Sequence, residues 1–276
     1  MKVLLIQENG RHDANRIYRE CFCLQRAFEF HNVKSDVWGL GHDNYDIEPD
    51  YTSYDLIINL ENYDKTGWVP SLKKVQTKKF LWSIDAHVKG INPYLHTAND
   101  GNYSRILQAT PEFVNADSVW FPNCYDDTLI KPLHIKKEYD VGFCGNINNR
   151  EPLLKIMEER FNLKRDIFVI GDDMVRAINS YRVGFNANIS IDINYRNFEI
   201  LGCHTLLLTS YNKHYSQLGL IDGVNCMIYS NIEEMLEKAN KLIYGDYPTN
   251  RNLCLEAEKI AKKHTYKERI QSLLLL

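Results

Sequence analysis

Short, wholly apolar runs alternate with stretches of helical periodicity, and the alternation begins twice. Val3-Leu4-Leu5-Ile6 has no polar position, the pattern of a central parallel strand buried on both faces. A polar loop with Gly10 follows, and residues 14–31 turn helical, with Ile17, Cys21, Leu24 and Phe28 forming one apolar stripe. Further strands are expected at 37–40, 56–60, 79–84 (ending at Asp85) and 119–121, the last stopped by Pro122. Residues 131–138 are basic, contain Pro132 and have no period, so a linker is expected there. The rhythm then restarts: strand 141–144, helix 151–161 with Pro152 in its first turn, strand 167–170 closed by Gly171, strand 183–187, and helix 195–201 ending near Gly202. Strands 205–209 and 226–229 and helices 232–244, 252–264 and 266–275 complete the chain. Alternating strands and helices imply βαβ units and parallel sheets. The expected fold is α/β, with two Rossmann-like parallel-sheet domains facing a cleft. The first domain is expected over 1–130 and the second over 139–255, with C-terminal helices at 256–276 packing back on the first.

Bulk numbers narrow the partners. Lys and Arg number 33 against 36 Asp and Glu, a formal charge of −3, so there is no global attraction to nucleic acid, although a local basic groove is compatible. The seven cysteines form no CxxC pair and read as reduced thiols rather than a disulfide frame or zinc site. No apolar stretch approaches the roughly 20 residues that span a membrane, and the N-terminal run is too short for a signal-peptide core. A soluble, cytoplasmic protein is expected (host cytoplasm if phage-encoded). Gly39-Leu40-Gly41 lacks the third glycine of GxGxxG, and the chain has no GxxxxGK[ST], GxSxG, DxD or HExxH pattern. NAD enzymes, P-loop NTPases, serine hydrolases and single-domain metal-dependent transferases lose ground accordingly.

Four groups of residues could carry chemistry. Gly145 and Asn146 follow the strand at 141–144, and Arg150 stands at a helix start, where free N–H groups and the dipole favour an anion. A plain βα turn with a surface arginine gives the same pattern. Asp192, Tyr195, Arg196 and Glu199 form the second group. Arg196 and Glu199 lie three apart on one helical face, suited to phosphate and vicinal hydroxyls, or simply to a surface ion pair. Asp85, at a strand's carboxyl end, could accept a proton as general base, with His87 the weaker alternative. A turn or N-cap aspartate looks alike. The loop Glu8-Asn9-Gly10-Arg11-His12-Asp13, with Arg16 and Arg19 nearby, offers acceptor contacts through Asn9, Arg11 and His12, or is merely solvated.

Taken together, these segments resemble the CgeB/YkvP-like glycosyltransferases, a group with the two-domain GT-B fold. The resemblance is carried by Tyr139–Asn146 with Arg150, by Asp192–Gly202, by His264-Thr265-Tyr266 with Arg269, and by Trp82–His87. A more distant likeness is to phage DNA β-glucosyltransferases. The resemblance implies that Gly145, Asn146, Arg150, Tyr195, Arg196 and Glu199 bind a nucleoside-diphosphate sugar. Arg150 and Arg196 would meet the diphosphate, Glu199 the ribose, and Asp85 would be the base. Asn9, Arg11, His12 and His87 fall to the acceptor. The pattern of two acidic residues eight apart, found widely among GT-B enzymes, is not met, since Ile191 stands at the first position. The implied reaction is an inverting sugar transfer, metal-independent or weakly metal-assisted, with no cofactor beyond the donor. The acceptor hydroxyl would belong to a hydroxymethylated pyrimidine in phage DNA, for which Lys73-Lys74, Lys78-Lys79 and Arg11/Arg16/Arg19 supply basic clusters, or to a glycan, protein or small molecule. A nucleotide-sugar epimerase and a non-catalytic nucleotide- or glycan-binding module are the alternatives.

Overall fold

A computed structural model describes residues 1–10, 12–62 and 67–276. It divides into two compact units: Met1–Asn123 with Ser190–Asp192 and Tyr266–Leu276, and Cys124–Ile189 with Ile193–Thr265. Residues 131–138, where a linker was expected, lie inside the second unit; the main chain passes between units after Asn123.

The first unit comprises β1 (Lys2–Ile6), α1 (Glu20–Phe30), β2 (Lys34–Trp38), β3 (Leu56–Leu60), β4 (Lys78–Ser83), α2 (Ala86–Lys89), α3 (Asn92–Asp100), β5 (Arg105–Gln108) and β6 (Ser118–Trp120). The sheet order is β2-β1-β3-β4-β5-β6, all parallel. Val3 to Ile6 are fully buried because β1 is paired on both edges and covered on both faces. From β1 the chain goes to β2 on one side and returns to β3 on the other. The carboxyl ends of β1 and β3 therefore flank a topological switch point, where open α/β sheets bind ligands.

The expected helix over 14–31 is shorter. Asp13–Tyr18 forms a 3-10 turn, and Arg19 adopts an extended backbone before α1 starts. Ile17 is half exposed and drops out of the apolar stripe. Gln7, just past β1, accepts the Cys21 N–H at 2.9 Å and donates to the Glu20 carboxylate at 2.7 Å. The strand's exit thus satisfies one of the helix's first orphan donors.

The second unit holds β7 (Tyr139–Gly145), α4 (Glu151–Arg160), β8 (Leu163–Ile167), α5 (Gly171–Ser180), β9 (Tyr181–Asn186), α6 (Tyr195–Gly202), β10 (Leu206–Ser210), β11 (Met227–Tyr229), α7 (Ile232–Tyr244) and α8 (Tyr247–Ala261). Its parallel sheet runs β11-β10-β9-β7-β8, which puts a switch point between β7 and β9. Val141, Phe143, Val183, Phe185, Leu206 and Leu208 build the core with Leu154, Met157 and Met235. Gly142 is required by close approach: a Cβ there would lie 2.1 Å from the buried Tyr181 ring.

The strand expected at 167–170 is displaced. β8 is an edge strand, half-buried throughout, and its Arg165 pairs with Glu151 at 3.1 Å and Glu158 at 2.6 Å. The chain leaves the sheet at Phe168 (φ 56°), and Gly171 (φ 63°) opens α5 instead of closing a strand. A last helix, α9 (Tyr266–Leu273), belongs to the first unit, where it lies against α1. Arg269 Nε donates to the Pro122 carbonyl at 2.9 Å, and His31 Nε2 lies 2.9 Å from the Lys267 carbonyl.

Candidate active site

At the second unit's switch point, Gly145 ends β7 with φ 153°, a backbone that side chains rarely adopt, while an added Cβ would meet only the Phe143 ring, at an ordinary 3.6 Å. The requirement is conformational. Asn146 is exposed, and its Oδ1 accepts the Asn148 N–H at 3.2 Å. Arg150 is buried and acts as a strap. Its Nε donates to the Ala187 carbonyl beyond β9 at 2.6 Å, and its Nη1 donates to the Asn146 carbonyl at 2.8 Å. These bonds tie the two lips of the switch point together, a role that sequence alone did not reveal.

Tyr195, Arg196 and Glu199 lie on the first two turns of α6, each half-buried. Arg196 Nη1 is 2.8 Å from Glu199 Oε2, with side chains 17% and 14% exposed. The angle is poor for a hydrogen bond, so this contact is an ion pair with donor capacity still open. Burial works against the guanidinium charge, the Glu199 carboxylate offsets it, and the arginine pKa is raised overall. The Arg196 charge opposes burial at the Cys144 thiol, which immediately precedes Gly145, so the arginine stands within electrostatic reach of the β7 lip. Burial pushes the Cys144 thiol up to about 11, keeping it neutral.

Behind these residues is a polar knot that the sequence analysis missed. Asn197 is fully buried and uses its whole amide. Its Nδ2 donates to Asn188 Oδ1 at 3.0 Å and the Asn194 carbonyl at 3.2 Å. Its Oδ1 accepts from Thr209 at 2.8 Å, Asn186 at 3.1 Å and Tyr215 at 3.1 Å. Asn186 Oδ1 accepts from Asn194 at 3.2 Å, and Asn188 Nδ2 donates to the Tyr215 hydroxyl at 2.6 Å. The knot fixes the start of α6 to the carboxyl ends of β9 and β10. The available signal was the run of asparagines at 186, 188, 194 and 197. Asn197→Leu strands several buried partners at once, each costing about 1–3 kcal/mol when unsatisfied. Urea denaturation should show a loss of about 3 kcal/mol or more; a midpoint like that of the unaltered protein would show that the knot contributes little.

In the first unit, Asp85 follows β4 and occupies the N-cap position of α2 without making a side-chain cap bond. Its side chain is 48% exposed, and Lys89 Nζ approaches to 3.8 Å. His87, by contrast, is nearly buried, with Nδ1 3.9 Å from Asp192 Oδ1 in the Ser190–Asp192 segment of the same unit. Beside it in sequence, Asp85 is much the more accessible to a substrate. Asn9 is buried and donates to the Gly41 carbonyl at 2.8 Å, pinning the loop after β1. His12 is exposed and lines a cavity of about 280 Å³ with Glu8, Gly10, Asn15 and Arg19. Arg11 lies outside the described residues. The basic clusters are largely engaged internally: Lys79 is buried on the Val75 carbonyl, Lys78 donates to the Leu276 carbonyl at 3.1 Å, Lys73 pairs with Asp100 at 3.4 Å, and Arg16 pairs with Asp13 at 2.9 Å. Lys79 is therefore no phosphate contact. Among the described residues no three His, Cys, Asp or Glu side chains gather as a metal cluster, and no helix is long and apolar enough to cross a membrane.

The family model described as "Glycosyl transferase-like" matches residues 128–275, more than half of the chain. The chain belongs to the glycosyl transferase-like family. The match contains every element of the second unit's switch point, and the chain is accordingly a glycosyltransferase. Solved structures of similar fold include T4 phage BGT in complex with UDP and Mn2+ (14% identity, TM-score 0.68, 100% of both chains). Others are sucrose-phosphate synthase from Thermosynechococcus elongatus (12% identity, TM-score 0.68, 99% of this chain and 98% of that one) and Anabaena HepE in complex with UDP and glucose (12% identity, TM-score 0.65, 99% of both chains). These likenesses establish the fold, two parallel-sheet α/β units of GT-B type. No curated protein matches the chain by sequence.

Proposed function

We propose that this glycosyltransferase moves a hexose from a UDP-sugar to an acceptor hydroxyl with inversion, and that it is of the CgeB/YkvP-like kind. The Arg196–Glu199 pair beside the β7–β9 switch point carries the reading, because it offers a cation and a carboxylate where an open α/β sheet takes its ligand. In this reading Arg196 meets the diphosphate and Glu199 the ribose hydroxyls. Tyr195 packs beside the nucleoside. The Gly145–Asn146 turn brings backbone N–H groups toward phosphate, and Arg150 holds that turn in place. Asp85 takes the proton from the acceptor hydroxyl, whose oxygen attacks the anomeric carbon as the sugar–phosphate bond breaks. The UDP oxygen that leaves carries the charge, which Arg196 stabilises. No resident metal is assigned; a divalent ion serves at most as an aid to the leaving diphosphate. The acceptor is assigned to Asn9, Arg11 and His12 of the loop after β1 and to His87, which belongs to the same unit. The resemblance to phage DNA β-glucosyltransferases makes hydroxymethylated pyrimidine in DNA the first acceptor to try, ahead of glycans, proteins and small molecules. The reaction belongs in the cytoplasm.

A thermal-shift panel of UDP-, GDP-, ADP- and dTDP-sugars tests the donor. A ligand at a hundred times its Kd stabilises by about 2.7 kcal/mol, a rise of several degrees in Tm. UDP-glucose is expected to give it. A panel in which no nucleoside diphosphate or its sugar moves Tm would sink the proposal.

A further inference from the structure

Glu61, the first residue after β3, has φ 56°, a left-handed backbone uncommon outside glycine. Such a conformation persists only where its surroundings hold it, and it gathers at functional sites. Its surroundings are specific. Glu61 N–H donates to the Trp82 carbonyl of β4 at 2.8 Å. Oε2 accepts the backbone N–H groups of Ile84 at 2.7 Å and Asp85 at 3.1 Å. Oε1 accepts from Lys89 Nζ at 2.9 Å and from the hydroxyl of buried Tyr94.

Two carboxylates thus sit at adjacent strand ends in opposite conditions. Glu61 is 19% exposed and has donors on both oxygens. Asp85 is 48% exposed and makes no cap bond. Both oxygens of Glu61 already accept two donors each, so neither is presented to a substrate proton, and the pair divides the labour. Lys89 stands 2.9 Å from Glu61 and 3.8 Å from Asp85. While Glu61 holds the ammonium, Asp85 is not locked into a close ion pair of its own. We infer that Glu61 is a positioning residue for Asp85: it fixes the Ile84–Asp85 backbone and keeps Lys89 from closing on the base. Burial raises the Glu61 pKa, with the Asp85 charge adding to it and Tyr94 and Lys89 opposing; what keeps Glu61 from serving as the base is that its oxygens are occupied, not that it is weakly basic. Glu61 was invisible in the sequence because its role depends on β3 lying beside β4.

The inference rests on the assignment of Asp85 as base, and the test separates the two. UDP release from UDP-glucose is measured with water alone and with DNA containing 5-hydroxymethylcytosine. Glu61→Gln should lower kcat roughly tenfold with the KM for UDP-glucose within about twofold, and should add no further loss on top of Asp85→Asn. If Glu61→Gln turns over like the unaltered enzyme while Asp85→Asn is inactive, the positioning role is wrong and the base assignment stands. If Asp85→Asn is fully active, both fall. Should Glu61→Gln not fold, Tyr94→Phe keeps the buried ring and removes one donor from Glu61. It should lower kcat about threefold at constant KM, and an unchanged kcat would count against the role.

Discussion

Asp85→Asn should leave UDP-glucose binding intact and lower sugar transfer by about a thousandfold. The amide keeps the shape of the carboxylate but cannot accept a proton, and general-base catalysis contributes roughly 10²–10⁴-fold. The substitution is structurally mild: Asp85 caps no backbone N–H through its side chain and is about half exposed. Its backbone N–H still reaches Glu61, so the turn into α2 survives. Calorimetric titration of UDP-glucose and a transfer assay on the same preparation separate binding from chemistry. Full transfer by this variant would remove Asp85 from the mechanism.

Arg196→Ala should weaken UDP binding about ten- to a hundredfold, the equivalent of losing a charged hydrogen bond of about 1.5–3 kcal/mol. Arg196 is already held half-buried by Glu199, so little of its freedom remains to be lost on binding. Arg196→Lys should recover only part of the loss, because an ammonium keeps the charge and lacks the planar fork. Calorimetry with UDP reads the effect directly. An unchanged Kd in Arg196→Ala would place the diphosphate elsewhere.

The central strands were legible because parallel strands covered on both faces leave continuous apolar runs; Val3 to Ile6 and Leu56 to Ile58 are cases. β8 was not, because an edge strand with Lys164, Arg165 and Asp166 reads as surface. The missed α5 turns on Gly171, which opens a helix as readily as it closes a strand. Residues 86–118, with α2, α3 and β5, lack a strong period: their apolar positions, such as Tyr94, Ala98 and Ile106, are few and separated by polar ones. At the candidate site, Arg196 and Glu199 were legible because helical spacing is local. The bonds of Arg150 to Ala187, of Glu61 to Asp85 and of Asn197 to Thr209 join residues distant in sequence. Only strand order brings them together, and the residue types alone do not announce it.

The most direct measurement is a crystal structure with UDP bound. The account predicts the diphosphate within hydrogen-bonding distance of Arg196, the ribose hydroxyls on Glu199, and the Gly145–Asn146 turn beneath the phosphates. UDP seated away from the β7–β9 switch point, with Arg196 and Glu199 paired only to each other, would contradict it.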